Sequence, residues 1–224
     1  MDNNMSVSFL IPTRNRVELL KKCISQIINT YHGTVDFDVL LRFDIDQTDQ
    51  CDELNDWLIN IGYNKFVKTF CGYRFFYENI HKYYTELSFV STKKWLWLWN
   101  DETLMLTEGW DKVISPHLNQ FQLIFPKENS SFHLCPKKLV ELIGYYAPTT
   151  NCDSWQGQLA TDLNIVQWID LATIHDRYDI TGNNLDDTYL ARNYSNNIAE
   201  NINNNHLEVK IISEYLSLNG NKYE

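Results

Sequence analysis

Two adjacent acidic residues follow an unbroken apolar run near the middle of the chain. The run is Trp95-Leu96-Trp97-Leu98-Trp99, and Asn100-Asp101-Glu102 comes directly after it. Adjacent carboxylates repel each other unless a cation lies between them, and hard divalent cations prefer oxygen ligands. The pair is therefore a candidate metal site. The alternative is a solvated turn after a buried strand, which is the better interpretation of an acidic pair that stands alone.

The apolar run must position these carboxylates. It predicts a short strand, 95–99, that is buried on both faces of a sheet. A carboxylate cannot continue such a strand without a large desolvation cost, so the strand ends before the acidic pair. Because open α/β sheets bind ligands at the carboxyl ends of their strands, we expect Asp101 and Glu102 at a ligand-binding edge.

The first predicted strand, 7–11, ends in a polar segment that suits an anionic ligand. Pro12 stops the strand, and Thr13 can bind free N–H groups at the start of the next helix. Arg14 and Arg16 lie beside that helix N-terminus, whose partial positive charge attracts an anion such as a diphosphate. The alternative is a simple helix cap with solvated arginines.

A second predicted strand, 37–43, also ends in acidic residues. Asp44 and Asp46 follow it directly. Carboxylates at this position can accept hydrogen bonds from a nucleobase N–H or from ribose hydroxyls. The alternative is that acidic residues of the segment 46–49 cap the helix that follows.

Strand and helix patterns alternate through the first half of the chain. The other predicted strands are 65–70, 121–125 and 165–174, and the predicted helices are 16–29, 49–61, 79–91, 137–143, 154–162 and 206–218. This alternation predicts right-handed βαβ units and the α/β class, with a mostly parallel twisted sheet flanked by helices. The second half is less regular, and an Asn-rich tail begins at residue 193.

Length and composition indicate one folded domain and exclude several classes of protein. The chain has 224 residues, of which 44% are hydrophobic, enough for one sizeable α/β core. Its formal net charge of −10, without a basic run, argues against a nucleic-acid partner. The five cysteines lack zinc-site spacing and suit free thiols in a reducing compartment. No apolar stretch approaches the roughly 18 residues of a membrane helix. We therefore expect a soluble cytoplasmic protein without an integral membrane segment.

Three segments in this order resemble the family 2-type glycosyltransferases with a GT-A fold. They are Val7-Ser-Phe-Leu-Ile-Pro-Thr-Arg-Asn-Arg16, Asp44-Ile-Asp-Gln-Thr-Asp49, and Leu98-Trp-Asn-Asp-Glu102 with the Gly-Trp-Asp that ends at Asp111. The resemblance implies a GT-A-like domain at 1–192, with a nucleotide-sugar half at about 1–115 and an acceptor half at about 116–192, before a tail at 193–224. It also implies inverting transfer of a sugar from a nucleotide diphosphate sugar to a glycan or other hydroxyl acceptor.

The resemblance implies a role for each matched residue of the donor site. The residues that would bind the nucleotide sugar are Pro12, Thr13, Arg14, Arg16, Asp44, Asp46, Arg74, Asn100 and Asp101. Among them, Asp44 would contact the base and Arg74 would lie near the diphosphate. For Arg74 the alternative is an exposed loop arginine without a ligand.

A divalent metal, Mn²⁺ or Mg²⁺, is the cofactor that the resemblance implies. Asp101 and Glu102 stand where the family carries an Asp-x-Asp motif that holds the metal on the diphosphate. His175 matches a late histidine that completes the metal shell in some relatives, although a lone histidine is also common as a structural residue. The sequence departs from the family at Asn100, where the usual residue is Asp, and at Glu102.

An inverting transfer needs a general base that takes the proton from the acceptor hydroxyl. Family members carry an Asp for this purpose at the start of a helix after the acceptor loop, which implies Asp153 after the loop 147–150. N-capping of that helix is the alternative role. Asp186 and Asp187 also recur in similar sequences, and we assign them no role.

Two other functions share parts of this pattern. A sugar-1-phosphate nucleotidyltransferase has a similar sheet and an acidic metal site, but it normally has a Gly-rich loop after the first strand, and segment 12–14 contains no glycine. A non-catalytic module that binds a nucleotide or a sugar is the non-enzyme alternative. Asn100 and Glu102, as departures from the family motif, are consistent with it.

Overall fold

The computed structural model describes residues 5–183, residue 190 and residues 205–223. Its strands are β1 (Ser6–Pro12), β2 (Asp36–Asp44), β3 (Val67–Gly72), β4 (Trp95–Leu98), β5 (Thr103–Met105), β6 (Leu123–Pro126), β7 (Leu134–Pro136), β8 (Val166–Ile169) and β9 (Thr173–His175). Its helices are α1 (Val17–Asn29), α2 (Thr48–Ile61), α3 (Ile80–Val90), α4 (Trp110–Ile114), α5 (Lys137–Ile143), α6 (Cys152–Asp162), α7 (Tyr178–Thr181) and α8 (His206–Asn219). Asp186, Asp187 and the tail residues 193–204 lie outside the described residues.

Seven strands form the central sheet, in the order β3-β2-β1-β4-β7-β6-β8. Strand β7 is antiparallel to both of its neighbours, and the other neighbouring pairs are parallel. Parallel neighbours need crossover connections, which α1, α2 and α3 supply between the first four strands. The predicted α/β class with a mostly parallel central sheet is confirmed.

The Trp-rich strand is buried in the middle of this sheet. Trp95, Trp97 and Trp99 are each 0% exposed. Each indole N–H donates to a backbone carbonyl, at 3.0 to 3.3 Å, so burial leaves no indole donor of this strand unsatisfied. Full burial of one large apolar side chain contributes about 1.5–3 kcal/mol. The strand therefore holds the residues that follow it in a rigid position.

The second half of the chain differs from the sequence prediction. Strands β5 and β7 were not predicted, because three residues carry too little periodicity to be recognised. The prediction of one strand at 165–174 is wrong, since this run forms β8 and β9 in different sheets. Strand β8 pairs with β6 in the central sheet, and β9 pairs with β5 in a separate two-stranded sheet. The exposed Asp170 lies between them, where the chain leaves the central sheet.

The C-terminal helix α8 packs against the domain. Its Ile212 is 0% exposed. After the helix, Tyr223 donates a 2.8 Å hydrogen bond to the backbone oxygen of Lys94, beside the start of β4. The division into a domain at 1–192 and a tail at 193–224 stays a prediction.

Composition also led to expectations about the cysteines and about membrane-spanning helices. All five cysteines are free thiols, and four of them are buried. Among the helices in residues 5–183 and 205–223, none combines the length and the apolar character that crossing a bilayer requires.

Candidate functional site

A pocket of about 600 Å³ opens beyond the carboxyl ends of β1, β2 and β4. Strands β2 and β4 lie on opposite sides of β1, and such a switch in strand order is where open α/β sheets bind ligands. The pocket is lined by eleven of the twelve predicted site residues: Pro12, Thr13, Arg14, Arg16, Asp44, Arg74, Asn100, Asp101, Glu102, Asp153 and His175. The twelfth, Asp46, is not a lining residue.

Two side chains join the end of β1 to the acidic pair after β4. Thr13 Oγ1 donates to Asp101 Oδ2 at 2.7 Å, and Arg16 Nη1 donates to Asp101 Oδ1 at 3.1 Å. The same Nη1 lies 2.9 Å from Glu102 Oε2. The side chains of Arg16, Asp101 and Glu102 are 7%, 6% and 6% exposed. Because water has little access to these charges, salt screens them far less than it screens a surface ion pair.

The protonation of Asp101 depends on these partners. Burial raises the pKa of Asp101 above its ordinary value, and the adjacent Glu102 carboxylate adds to that rise. The Arg16 charge and the Thr13 hydrogen bond act in the opposite direction and lower the pKa of Asp101. Arg16 and Thr13 therefore favour the ionised form of Asp101, which burial disfavours.

Arg14 binds two carboxylates that follow β2. Its Nη1 donates to Asp44 Oδ2 at 2.8 Å, and Nη1 and Nη2 donate to the two oxygens of Asp46 at 2.8 Å each. The hydrogen bond to Asp46 raises the pKa of Arg14 and lowers the pKa of Asp46. The Asp44 side chain is 3% exposed, whereas the Asp46 side chain is 53% exposed. Asp44 therefore belongs to the pocket interior and Asp46 to its rim.

Tyr83, which the sequence pattern did not single out, completes the surroundings of Asp44. Its hydroxyl donates to Asp44 Oδ1 at 2.7 Å. Burial raises the pKa of Tyr83 to about 12, and the hydrogen bond to Asp44 adds to the rise, so the hydroxyl keeps its proton at neutral pH. Arg74 Nε lies 3.9 Å from Asp44 Oδ2, and its guanidinium lies 4.4 Å from the centroid of the Phe76 ring. Tyr83 was missed because its place among the apolar residues of α3 looks like that of a core tyrosine.

The pairing of β5 with β9 brings His175 to the acidic pair. In this two-stranded sheet Thr103 pairs with His175. His175 Nε2 lies 3.1 Å from Glu102 Oε1 and 2.8 Å from Asn100 Nδ2. The Thr103 hydroxyl donates to Asn100 Oδ1. These contacts hold Asn100 and Glu102 in place on the pocket wall.

A divalent cation does not fit this arrangement of Asp101 and Glu102. All four oxygens of the two carboxylates lie within 3.1 Å of a protein nitrogen or hydroxyl, from Thr13, Arg16 and His175. Glu102 Oε2 accepts no hydrogen bond of good geometry from the described residues, but it lies against the Arg16 guanidinium, and a metal bound there would meet that positive charge. In the described ranges, no three His, Cys, Asp or Glu side chains are arranged to hold a metal ion. The geometry therefore does not support the expected metal set of Asp101, Glu102 and His175.

Asp153 contributes to the pocket wall from the first turn of α6. The N-cap residue of this helix is Asn151, so Asp153 does not occupy the capping position that was the alternative for it. Its carboxylate also acts on the buried His133. Burial lowers the pKa of His133 to about 4, and the negative charge of Asp153 opposes that shift.

The pocket wall is rich in arginine. The chain has six arginines and thirteen lysines. Four of the arginines (Arg14, Arg16, Arg74 and Arg177) line the pocket, whereas none of the lysines, all of which the structure describes, is a lining residue. A guanidinium presents paired N–H donors that match phosphate oxygens, so this selection of arginine suits a phosphorylated ligand. Arg177 was not predicted as a site residue, although it lies just after β9 and the ends of other strands supplied the predicted site residues.

Solved structures of similar fold share little sequence with this chain. TarS 1–349 of S. aureus in complex with UDP-GlcNAc is 12% identical, with a TM-score of 0.58, over 96% of this chain and 75% of that chain. Mannosyltransferase PcManGT from Pyrobaculum calidifontis, in complex with GDP-Man and Mn²⁺, is 10% identical, with a TM-score of 0.53, over 95% and 74%. The 4-diphosphocytidyl-2C-methyl-D-erythritolsynthase from Anaerococcus prevotii DSM 20548 is 11% identical, with a TM-score of 0.54, over 85% and 96%.

The chain spans 57% of TarS 1–349 when it is compared with the UDP complex of that protein, to which it is 13% identical with a TM-score of 0.54. No family model and no curated protein matches the sequence. At such identities, similarity of structure establishes the fold and not the family. The protein is a single α/β domain of GT-A-like fold, with a mostly parallel seven-stranded sheet flanked by helices.

Proposed function

We propose that this protein transfers a sugar from a nucleoside diphosphate sugar to an acceptor hydroxyl. The observation that carries the proposal is the group of four arginines in one pocket at the switch point of a mostly parallel sheet. The net charge of −10 argues against a polyanion-binding surface, and the guanidinium groups in this pocket offer paired N–H donors to a single bound anion. Similar folds that bind UDP, UDP-GlcNAc and GDP-Man support the choice of a nucleotide sugar.

The proposed donor lies with its base near Asp44 and its diphosphate near the arginines. Asp44 is buried and already accepts hydrogen bonds from Tyr83 and Arg14. Its remaining acceptor capacity suits a base N–H. The Arg74 side chain is 42% exposed and lies at the long distance of 3.9 Å from Asp44 Oδ2, so it is accessible to a diphosphate.

The proposed reaction is a single displacement with inversion, as the family resemblance implies. The acceptor oxygen forms a bond to the anomeric carbon while the bond from that carbon to the diphosphate oxygen breaks. The acceptor proton goes to the Asp153 carboxylate, and the negative charge of the departing diphosphate is stabilised by guanidinium groups. No metal ion enters this proposal, because the arrangement of Asp101 and Glu102 does not fit one.

A nucleotidyltransferase is the second candidate. The structural similarity to a synthase whose name specifies a diphosphocytidyl compound favours this candidate, because the match with this protein covers 96% of the synthase chain. Such a reaction would release pyrophosphate from a nucleoside triphosphate. Segment 12–14, which lacks glycine, is the feature of this chain that speaks against it.

A panel of nucleotide sugars tests the proposal. UDP-, GDP- and CDP-sugars are titrated into the protein, and release of nucleoside diphosphate is followed with a mixed panel of glycan acceptors. We expect tight binding of one donor class and release of its diphosphate. Release of pyrophosphate from a nucleoside triphosphate and a sugar 1-phosphate would support the second candidate instead. Binding without either reaction would indicate a non-catalytic module. Lys127→Ala, which alters an exposed ion pair with Asp170, is the control.

A further inference from the structure

We infer that Arg16 supplies, from within the chain, the positive charge that a divalent cation would otherwise supply at Asp101 and Glu102. Donor binding at this pocket is then independent of divalent metal. The inference rests on the proposed function, because it concerns the same nucleotide diphosphate site. In this arrangement Arg16 takes the role of the divalent metal that was expected from the sequence.

The position of one nitrogen atom carries the inference. Arg16 Nη1 lies 3.1 Å from Asp101 Oδ1 and 2.9 Å from Glu102 Oε2, so a single atom bridges the two carboxylates. A cation held by both carboxylates would have to share this space with the guanidinium. The other oxygen of Asp101 binds the Thr13 hydroxyl at 2.7 Å, and the other oxygen of Glu102 lies 3.1 Å from His175 Nε2. A metal could bind both carboxylates only after the guanidinium had moved away.

Burial makes this guanidinium a fixed part of the pocket. The Arg16 side chain is 7% exposed, and the backbone of the same residue caps α1, where its oxygen accepts a hydrogen bond from Leu20 N. A guanidinium that lost both carboxylates to a metal would be a buried charge without a partner, which incurs a large desolvation cost. Displacement of Arg16 by a metal is therefore unfavourable, and so is the entry of a second cation beside it.

The balance of charges around the pocket agrees with this role. Its lining contains four arginines and four carboxylates, the latter being Asp44, Asp101, Glu102 and Asp153. Without Arg16, the buried pair Asp101 and Glu102 would repel an incoming diphosphate. With Arg16 between them, one of the two charges is neutralised, and the arginines on the rest of the wall can bind the phosphates.

Calorimetry on the wild-type protein provides the first test. UDP and GDP are titrated in a buffer with EDTA and again in a buffer with excess Mn²⁺. We expect the dissociation constant of the nucleotide that binds to differ by less than about twofold, since no new charge-assisted bond forms. Binding that requires Mn²⁺ would overturn this inference and leave the proposed function standing. Failure of both nucleotides to bind in either buffer would contradict the proposed function itself, and the inference with it.

Substitution of Arg16 provides the second test, with Mn²⁺ alone as the probe. Arg16→Met keeps much of the side-chain length and removes the charge. We expect this variant to gain Mn²⁺ binding, seen by electron paramagnetic resonance as loss of the free-ion signal, and to melt at a higher temperature with Mn²⁺ than with EDTA. Wild type should show neither effect. Arg177→Met is the matched control, because it removes an arginine of the same pocket that pairs with Asp179 instead of the acidic pair. Mn²⁺ binding by wild type as strong as by Arg16→Met would overturn the inference.

Discussion

Thr13 Oγ1 donates a 2.7 Å hydrogen bond to Asp101 Oδ2, across 88 positions of sequence. The bond joins the end of β1 to the end of β4 on the floor of the arginine-lined pocket. Thr13 is 7% exposed and Asp101 is 4% exposed. If either side chain lost the other as its hydrogen-bond partner, water could not readily take that place. This contact links the segment that carries Arg14 and Arg16 to the acidic pair.

Replacement of Thr13 tests this link. Thr13→Val keeps the shape of the side chain and removes the donor, leaving Asp101 with one partner fewer in a buried site. A hydrogen bond to a charged group contributes about 1.5–3 kcal/mol, so we expect the free energy of unfolding to fall by about that amount. Nucleotide affinity should fall as well, because the acidic pair is no longer held to the end of β1. Thr13→Ser, which keeps the hydroxyl, should bind within a few-fold of wild type. Equal affinity of the Val and Ser variants in calorimetry would show that the hydrogen bond has no part in binding.

The two carboxylates held by Arg14 should differ in importance. Asp44→Ala removes a buried acceptor from the pocket interior, and we expect donor binding to weaken by about 1–3 kcal/mol. Asp46→Ala removes an exposed partner of the same arginine, for which less than about 1 kcal/mol is expected. Titration of the preferred nucleotide into both variants provides the measurement. A larger loss in Asp46→Ala would mean that the base site lies at the rim.

The role of Asp153 as general base can be separated from a role in helix stability. Asp153→Asn removes the proton acceptor, and we expect turnover to fall by about 10²- to 10⁴-fold. The melting temperature should change little, since Asp153 lies in the first turn and not at the N-cap position, and loss of one acidic residue from the first turn costs about 0.3–1 kcal/mol. Asp162→Asn, the same change in the last turn of α6, is the control and should keep full turnover. Full activity of Asp153→Asn would assign the base to another residue.

The buried His133 should make the protein less stable in acid. Its pKa is lowered from 6.5 to about 4 by burial, so the unfolded chain binds a proton below pH 6.5 that the folded protein does not bind until about pH 4. Stability is therefore full above about pH 6.5 and falls by about 3 kcal/mol as the pH drops to about 4. We expect urea titrations to show this slope in wild type and a smaller slope in His133→Gln.

A second histidine variant serves as the control for that measurement. His206 is exposed at the start of α8, so His206→Gln should leave the slope between pH 6.5 and pH 4 unchanged. Equal slopes in wild type and His133→Gln would mean that other groups cause the acid sensitivity.

The sequence by itself determined the local elements around the site. Predominantly apolar segments identify β1, β2 and β4, because such a segment must be buried and the polar residues that follow it mark its end. The same reasoning identified the strand ends that carry Thr13, Asp44 and Asp101. It failed for the three-residue strands and for the run at 165–174, where pairing partners far away in sequence decide which sheet each strand joins.

Only the tertiary structure decided how the polar residues pair. The contacts of Asp101 with Thr13 and Arg16, and of Glu102 with His175, join residues 73 to 88 positions apart. Read together with the family resemblance, the acidic pair predicts an external cation, since repulsion between its carboxylates must be relieved. In the folded protein Arg16 already lies between them, because β1 and β4 are neighbours in the sheet and their polar ends meet at one edge. The residues next to the acidic pair in sequence do not indicate that Arg16 lies beside it. The pairing of β1 with β4 therefore had to be known before Arg16 could be identified as its charge partner.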